Sequence, residues 1–225
     1  MGKAGYDVTV VGVRNHMPSE PLDAELLRDA PFRLKSLNLL PGSGPASFIS
    51  RLKVKLLRDL AARGLGESVH ALGPARELLN SAVANPADLT ICHNEIALWV
   101  GVRLLNLGRK VAADFEDWYS EDLLSEDRRC RPIKLLRSLE HTLLARCRYV
   151  TTTSNALADA LHARYGGQRA EVISNSFPLQ PDPFRQGEKP RSPPRFFWFS
   201  QTLGPGRGLE GFLRAWVKSE NASSV

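Results

Sequence analysis

The strongest constraint on this chain is the alternation of short apolar, β-branched runs with stretches of helical periodicity. Residues 6–13 (YDVTVVGV), 32–40 (FRLKSLNLL), 87–92 (ADLTIC), 110–113, 149–153 and 171–174 read as strands. The first is expected to be of the buried parallel type, and the MGKAG before it reads as a helix tail closed by a glycine C-cap. Helices are expected over 74–83, from Asn94–Glu95 to about Leu107, and from Pro132, at the first helical position, to about Cys147. A further one spans 156–165, capped by Ser154 or Asn155 and closed by Gly166 and Gly167. Strands that alternate with helices pair in parallel through right-handed crossovers. The expected class is therefore α/β, built on Rossmann-like parallel sheets.

Residues 14–31 read as loop with one helical turn near 24–28, and PGSGP (41–45) as a breaker. Ser47 is a candidate N-cap for a helix running to about Ala62. On it Phe48, Ile49, Leu52, Leu56 and Leu60 share one face, while Arg51, Lys55 and Arg58 gather on another. The commoner outcome for such a helix is a core-packed stripe under a solvated charged face. The other is a basic amphipathic helix lying on anionic lipid.

Between Phe177 and Arg195 stand six prolines, at 178, 181, 183, 190, 193 and 194, a density that no sheet accommodates. This is an expected interdomain linker (177–195) after a first domain over 1–176. A fresh unit opens beyond it: the aromatic run 196–199 as a strand, a loop containing Gly204, Gly206 and Gly208, and a helix from Leu209 to Val217. Such a loop brings backbone N–H groups and a helix N-terminus to an anion, and Arg207 within it offers a guanidinium fork for phosphate. A tight αβ corner is the plain alternative. The spacing matches neither G-x-x-x-x-G-K-[ST] nor G-x-G-x-x-G. One strand and one helix do not bury their own apolar faces, so residues 196–225 read as the start of a second Rossmann-like domain, cut short.

Composition is that of an ordinary globular protein. No apolar run approaches the ~20 residues needed to span a bilayer, and the N-terminus has no signal-peptide pattern. Cys92, Cys130 and Cys147 are odd in number and lack C-x-x-C spacing, so they read as free thiols of a reducing cytosol, with no metal site. A net charge of +6 favours anionic partners. Nucleic acid is not among those expected, because no aromatic–basic interleaving accompanies the charge.

Polar residues follow the strands at 93–95 and 114–117, where open α/β sheets bind ligands. His93, Asp114, Glu116 and Asp117 are the candidate catalytic residues, and Glu95, Ser154 and Asn175 are candidates to line an acceptor cleft. Carboxylates suit sugar hydroxyls because each accepts two or more hydrogen bonds, and a cluster of them can also furnish a general base. Metal binding by Asp114, Glu116 and Asp117 is a third reading. His93 alone is equally an ordinary strand-end histidine, Glu140–His141 equally an exposed helix pair, and Ser154 and Asn175 equally caps.

The ordered series GYDVTVVG, ADLTICHNE, VAADFEDW, YVTTTSNALADAL, EVISNS, proline linker, FSQTLGPGRGLEGF resembles GT-B glycosyltransferases of the retaining family-4 type. Arg207–Gly208 matches the basic-Gly pair that opens that family's donor domain, and Ser200–Gln201 stands where it often has Gly-Arg. Asp114 matches the Asp of a D-x-H-E segment, Asp117 its Glu, and Glu116 stands where the motif has His. The resemblance implies a nucleotide diphosphate-sugar donor gripped by Ser200, Gln201, Gly206, Arg207 and Gly208, a sugar or lipid-linked acceptor, and no metal or other cofactor. It also implies that a first strand–helix unit precedes GYDVTVVG, so the chain reads as a fragment at both ends and inactive by itself. Peripheral membrane contact through 47–62 is a further implication. The rivals are a nucleotide-sugar epimerase of the same fold and a non-catalytic binding module.

Overall fold

The computed structural model describes residues 1–176, 196–199 and 206–219. They fall into two compact units that divide at Asn175–Ser176. In the first, β1 (Thr9–Arg14) pairs in parallel with β2 (Arg33–Asn38), Thr9 opposite Arg33 and Arg14 opposite Asn38. A separate sheet joins β3 (Thr90–His93), β4 (Val111–Phe115), β5 (Val150–Thr152) and β6 (Glu171–Val172), in that order and all parallel. The helices are α1 (Glu20–Leu27), α2 (Pro45–Ala62), α3 (Ala75–Ala84), α4 (Glu95–Asn106), α5 (Ser125–Arg128), α6 (Ile133–Arg146) and α7 (Asn155–Tyr165). The chain is thus α/β with parallel, Rossmann-like sheets.

The core sits on the four-stranded sheet. Val111, Ala112, Ala113 and Phe115 of β4 are fully buried, as a central parallel strand requires. Leu98 and Leu104 of α4, Leu136, Leu143 and Leu144 of α6, and Leu161 of α7 complete it. At Gly101 an added Cβ would stand 2.7 Å from the Cys92 sulfur, so the bare backbone there is what lets α4 lie close on β3. Val11, Val13 and Leu37 lean on the same core, and α3 contacts both β1 and α4.

Several elements differ from expectation. The expected buried strand β1 is only half-buried, with Val10 39% exposed, because among the described residues its sheet has a single partner strand. The turn expected near 24–28 is the eight-residue α1, and α5 was not expected. Pro45 takes the first turn of α2, so Gly44 (φ 115°) is its N-cap, and Ser47 is a buried helical residue donating to the Leu40 carbonyl at 2.9 Å. Pro132 likewise is the N-cap of α6 rather than its first residue.

The largest departure concerns the faces of α2. The helix turns inward Ser47, which is buried, and Ser50, Val54, Leu57 and Ala61, which are half-buried. Four of the five residues of the expected core-packed stripe point outward instead, with Phe48, Ile49, Leu52 and Leu56 55–63% exposed, and Leu60 alone is half-buried.

In the second unit α8 (Leu209–Val217) forms as expected, with Gly208 as its left-handed N-cap. Residues 196–199 are not a strand: among the described residues of this unit there is no neighbour for them to pair with. Phe196 packs instead on Trp216, 4.7 Å between ring centroids, and on Phe212 at 5.4 Å.

Candidate functional site

Because every strand of the larger sheet runs the same way, all their carboxyl ends share one edge. His93 is the last residue of β3 and lies opposite Asp114 of β4 in the register. His93 Nδ1 stands 2.9 Å from Asp114 Oδ2, and its Nε2 stands 3.1 Å from Glu116 Oε2. The ring is thus held between two carboxylates. An ionised carboxylate only accepts, so each of the two contacts calls for an N–H donor: a neutral imidazole supplies one and an imidazolium both. Thr151 of β5 donates to Asp114 Oδ1 at 2.6 Å and fixes that carboxylate from its other side. Thr152 and Thr153 donate to the Phe115 and Glu116 carbonyls, so β5 also holds the backbone that leaves β4. The side chains of His93, Asp114 and Glu116 remain 53%, 34% and 49% exposed, open to a ligand.

The turn after β3 is strained. Asn94 has φ 75°, in the left-handed region that few residues other than glycine occupy. Its side chain accepts from Ala97 N–H to cap α4, and its own N–H donates to the Tyr119 hydroxyl at 3.2 Å. His93 is thereby fixed at the mouth of the edge by the helix cap that follows it.

Below the edge, Glu140 of α6 is fully buried and accepts three hydrogen bonds. Ser120 N–H and Oγ donate at 2.9 and 2.7 Å, and the Tyr165 hydroxyl at 2.7 Å. Burial pushes its pKa up, against the opposing pull of the Tyr165 and Ser120 bonds. The carboxylate staples the 116–124 segment to α6 and α7. Burial likewise pushes the Asp122 carboxyl up to about 6, with the Asp117 charge adding to it.

Of the other expected site residues, Glu95 forms an ion pair with Arg131, which also meets Asp122 at 3.3 Å. Ser154 is the N-cap of α7, accepting from Leu157 N–H. Asp117 is exposed beside the cluster and Asn175 is exposed past the end of β6. In the second unit Gly206 and Gly208 have φ 78° and 87°, and the Arg207 carbonyl accepts from Trp198 Nε1 at 3.3 Å. Ser200 and Gln201, with the linker 177–195, lie outside the described residues. Among the described residues no three His, Cys, Asp or Glu side chains converge as a metal site. Cys92 and Cys147 are buried free thiols pushed up to about 12 by that burial, hence inert.

The sequence model described as Glycosyl transferase 4-like domain matches residues 1–176, more than half of the chain. The chain belongs to that family. A comparison with curated proteins returned no significant match. As a glycosyl transferase 4-like domain, the first unit is part of a transferase that acts on a sugar donor and an acceptor. Within that family setting, Arg131, Thr151 and the Ser120 and Tyr165 partners of Glu140 are the residues that sequence reading missed. Thr151 had a signal, being one residue from a strand end. The plain reading of Glu140 beside His141 is an exposed pair, and the structure buries Glu140 instead; Arg131 had no signal for its pairing with Glu95, 36 residues away in the chain.

Proposed function

We propose that the protein transfers a sugar, with retention, from a nucleotide diphosphate-sugar to an acceptor held by the first unit. The observation that carries this reading is the His93 ring held between Asp114 and Glu116 at the carboxyl edge of a glycosyl transferase 4-like domain. The family's motif has a histidine where this chain has Glu116. Here His93 supplies the imidazole from the neighbouring strand, and Glu116 orients it. Asp114 and Glu116 accept acceptor or donor hydroxyls, and Asp117 extends the same acidic rim. The departing diphosphate is met by Arg207, Gly206, Gly208, Ser200 and Gln201, which requires no metal or other cofactor. Preorganised donors of this kind contribute roughly 10²–10³ each in rate.

The test is nucleoside diphosphate release from UDP- and GDP-sugars with a lipid-linked saccharide fraction as acceptor. Release that depends on acceptor is expected once the second domain is complete, with His93→Ala lowering kcat by roughly 10²–10⁴. Isomerised donor formed without acceptor would make the chain an epimerase instead. Full activity in His93→Ala would remove the imidazole from the mechanism.

The outward face of α2 adds a location. Lys53 and Lys55 flank the exposed row Phe48, Ile49, Leu52 and Leu56, an apolar stripe between cations that matches an anionic bilayer surface. The reading is of an enzyme at the cytoplasmic face of a membrane, serving a lipid-linked acceptor in envelope polysaccharide synthesis.

A further inference from the structure

A cavity of about 600 Å³ opens between the end of α2 and the start of α6. Ala61, Gly64 and Gly66 form one wall, and Arg128, Arg129, Arg131 and Lys134 line the other. Two of these cations are neutralised: Arg128 by Glu121 at 2.5 Å, and Arg131 by Glu95 and Asp122. Arg129 and Lys134 have no acidic partner among the described residues and are exposed to the cavity's solvent. Glu67 already shows what the place attracts: its carboxylate accepts from Lys134 N–H at 3.3 Å and Leu135 N–H at 3.1 Å. An anionic side chain caps the first-turn amides of α6, where the helix dipole also favours negative charge. Arg131 runs from this cavity to Glu95, two residues past His93, so the cavity adjoins the carboxyl edge.

We propose that this cavity binds a phosphate or diphosphate ester, held by Arg129 and Lys134 against the N-terminal turn of α6, with Glu67 as the group it competes with. Resting on the transferase reading, the ester is the anionic end of the acceptor, lodged one side chain away from the His93 cluster. The chemistry fits the residues: the guanidinium of Arg129 forks onto two phosphate oxygens, while Lys134 supplies a mobile point charge. The bare backbones of Gly64 and Gly66 leave room for the ester beside them.

The experiment is calorimetry of the full chain with inorganic pyrophosphate, repeated on Arg129→Ala/Lys134→Ala and on Arg207→Ala. Both altered side chains of the first variant are exposed, and an unchanged thermal melt checks its fold. Expected is binding weakened about tenfold or more in Arg129→Ala/Lys134→Ala, since charge-assisted hydrogen bonds to the anion are lost. Binding in Arg207→Ala should persist. Absence of binding to the unaltered chain, or binding lost only in Arg207→Ala, overturns the proposal; the latter outcome leaves the donor-loop reading standing. Conversely, pyrophosphate binding at Arg129 and Lys134, with no transfer even when the second domain is complete, sinks the transferase reading and keeps the anion site. Sedimentation with phosphatidylcholine vesicles, with and without phosphatidic acid, distinguishes the sources. Capture by phosphatidic acid that falls in Arg129→Ala/Lys134→Ala marks a lipid headgroup, and pyrophosphate binding alone marks a soluble ester.

Discussion

At the scale of single residues, the candidate site is a matter of which polar groups are free and which are already engaged. His93 and its two carboxylates keep solvent access, whereas Glu95 and Ser154 are occupied by Arg131 and by the α7 amides. Glu140 is the opposite case, a fully buried carboxyl that accepts three hydrogen bonds inside the fold. Glu140→Ala leaves Ser120 N–H, Ser120 hydroxyl and Tyr165 hydroxyl without a partner and is expected to cost about 2–5 kcal/mol in chemical denaturation. The pH dependence has a definite sign. Its folded pKa lies above the ordinary glutamate value, so its contribution is full below that value and falls as pH rises through the raised one. Asp122, raised to about 6, has the same sign and sets a window between about pH 4 and 6. Thermal melts should therefore show a downward slope across that window, flattened in Asp122→Asn. An unchanged slope in that variant would show Asp122 to be solvated.

At the scale of elements, α2 carries the most consequence. Helical spacing puts its bulky apolar residues on one face, but spacing is silent on whether that face turns inward. The structure turns inward the slim face of Ser47, Val54 and Ala61. Phe48→Ser/Leu52→Ser should accordingly leave stability within about 0.5 kcal/mol, as for other exposed substitutions. The same variant should lose most of its sedimentation with phosphatidylglycerol vesicles. A large fall in thermal stability would mean the row is covered within the fold, and the membrane reading of α2 would go with it. The candidate strand at 196–199 makes the complementary point: aromatic residues suit a strand only where another strand stands beside them.

At the scale of the whole molecule, the residues that build the core all belong to the first unit, among those described. Residues 1–176 also coincide with the glycosyl transferase 4-like match. A chain of residues 1–176 is expected to unfold cooperatively, with a Tm within a few degrees of the full chain, by circular dichroism. Loss of a cooperative transition on that truncation would show that the second unit supplies part of the core.

Local order was legible in the amino-acid sequence because it depends on neighbours along the chain. The β-branched runs, the helical periods of α4, α6 and α7, the cap at Ser154 and the placement of His93 and Asp114 at strand ends all follow from spacing. The alternation of these elements was enough for the α/β class with parallel sheets. What no spacing reveals is pairing across the fold: Glu116 reaching back to His93, Arg131 bridging to Glu95, Glu140 buried beneath Ser120, and α2 presenting its broad apolar face outward. Those outcomes depend on which surfaces compete for burial once the sheets are assembled, and that competition exists only in three dimensions.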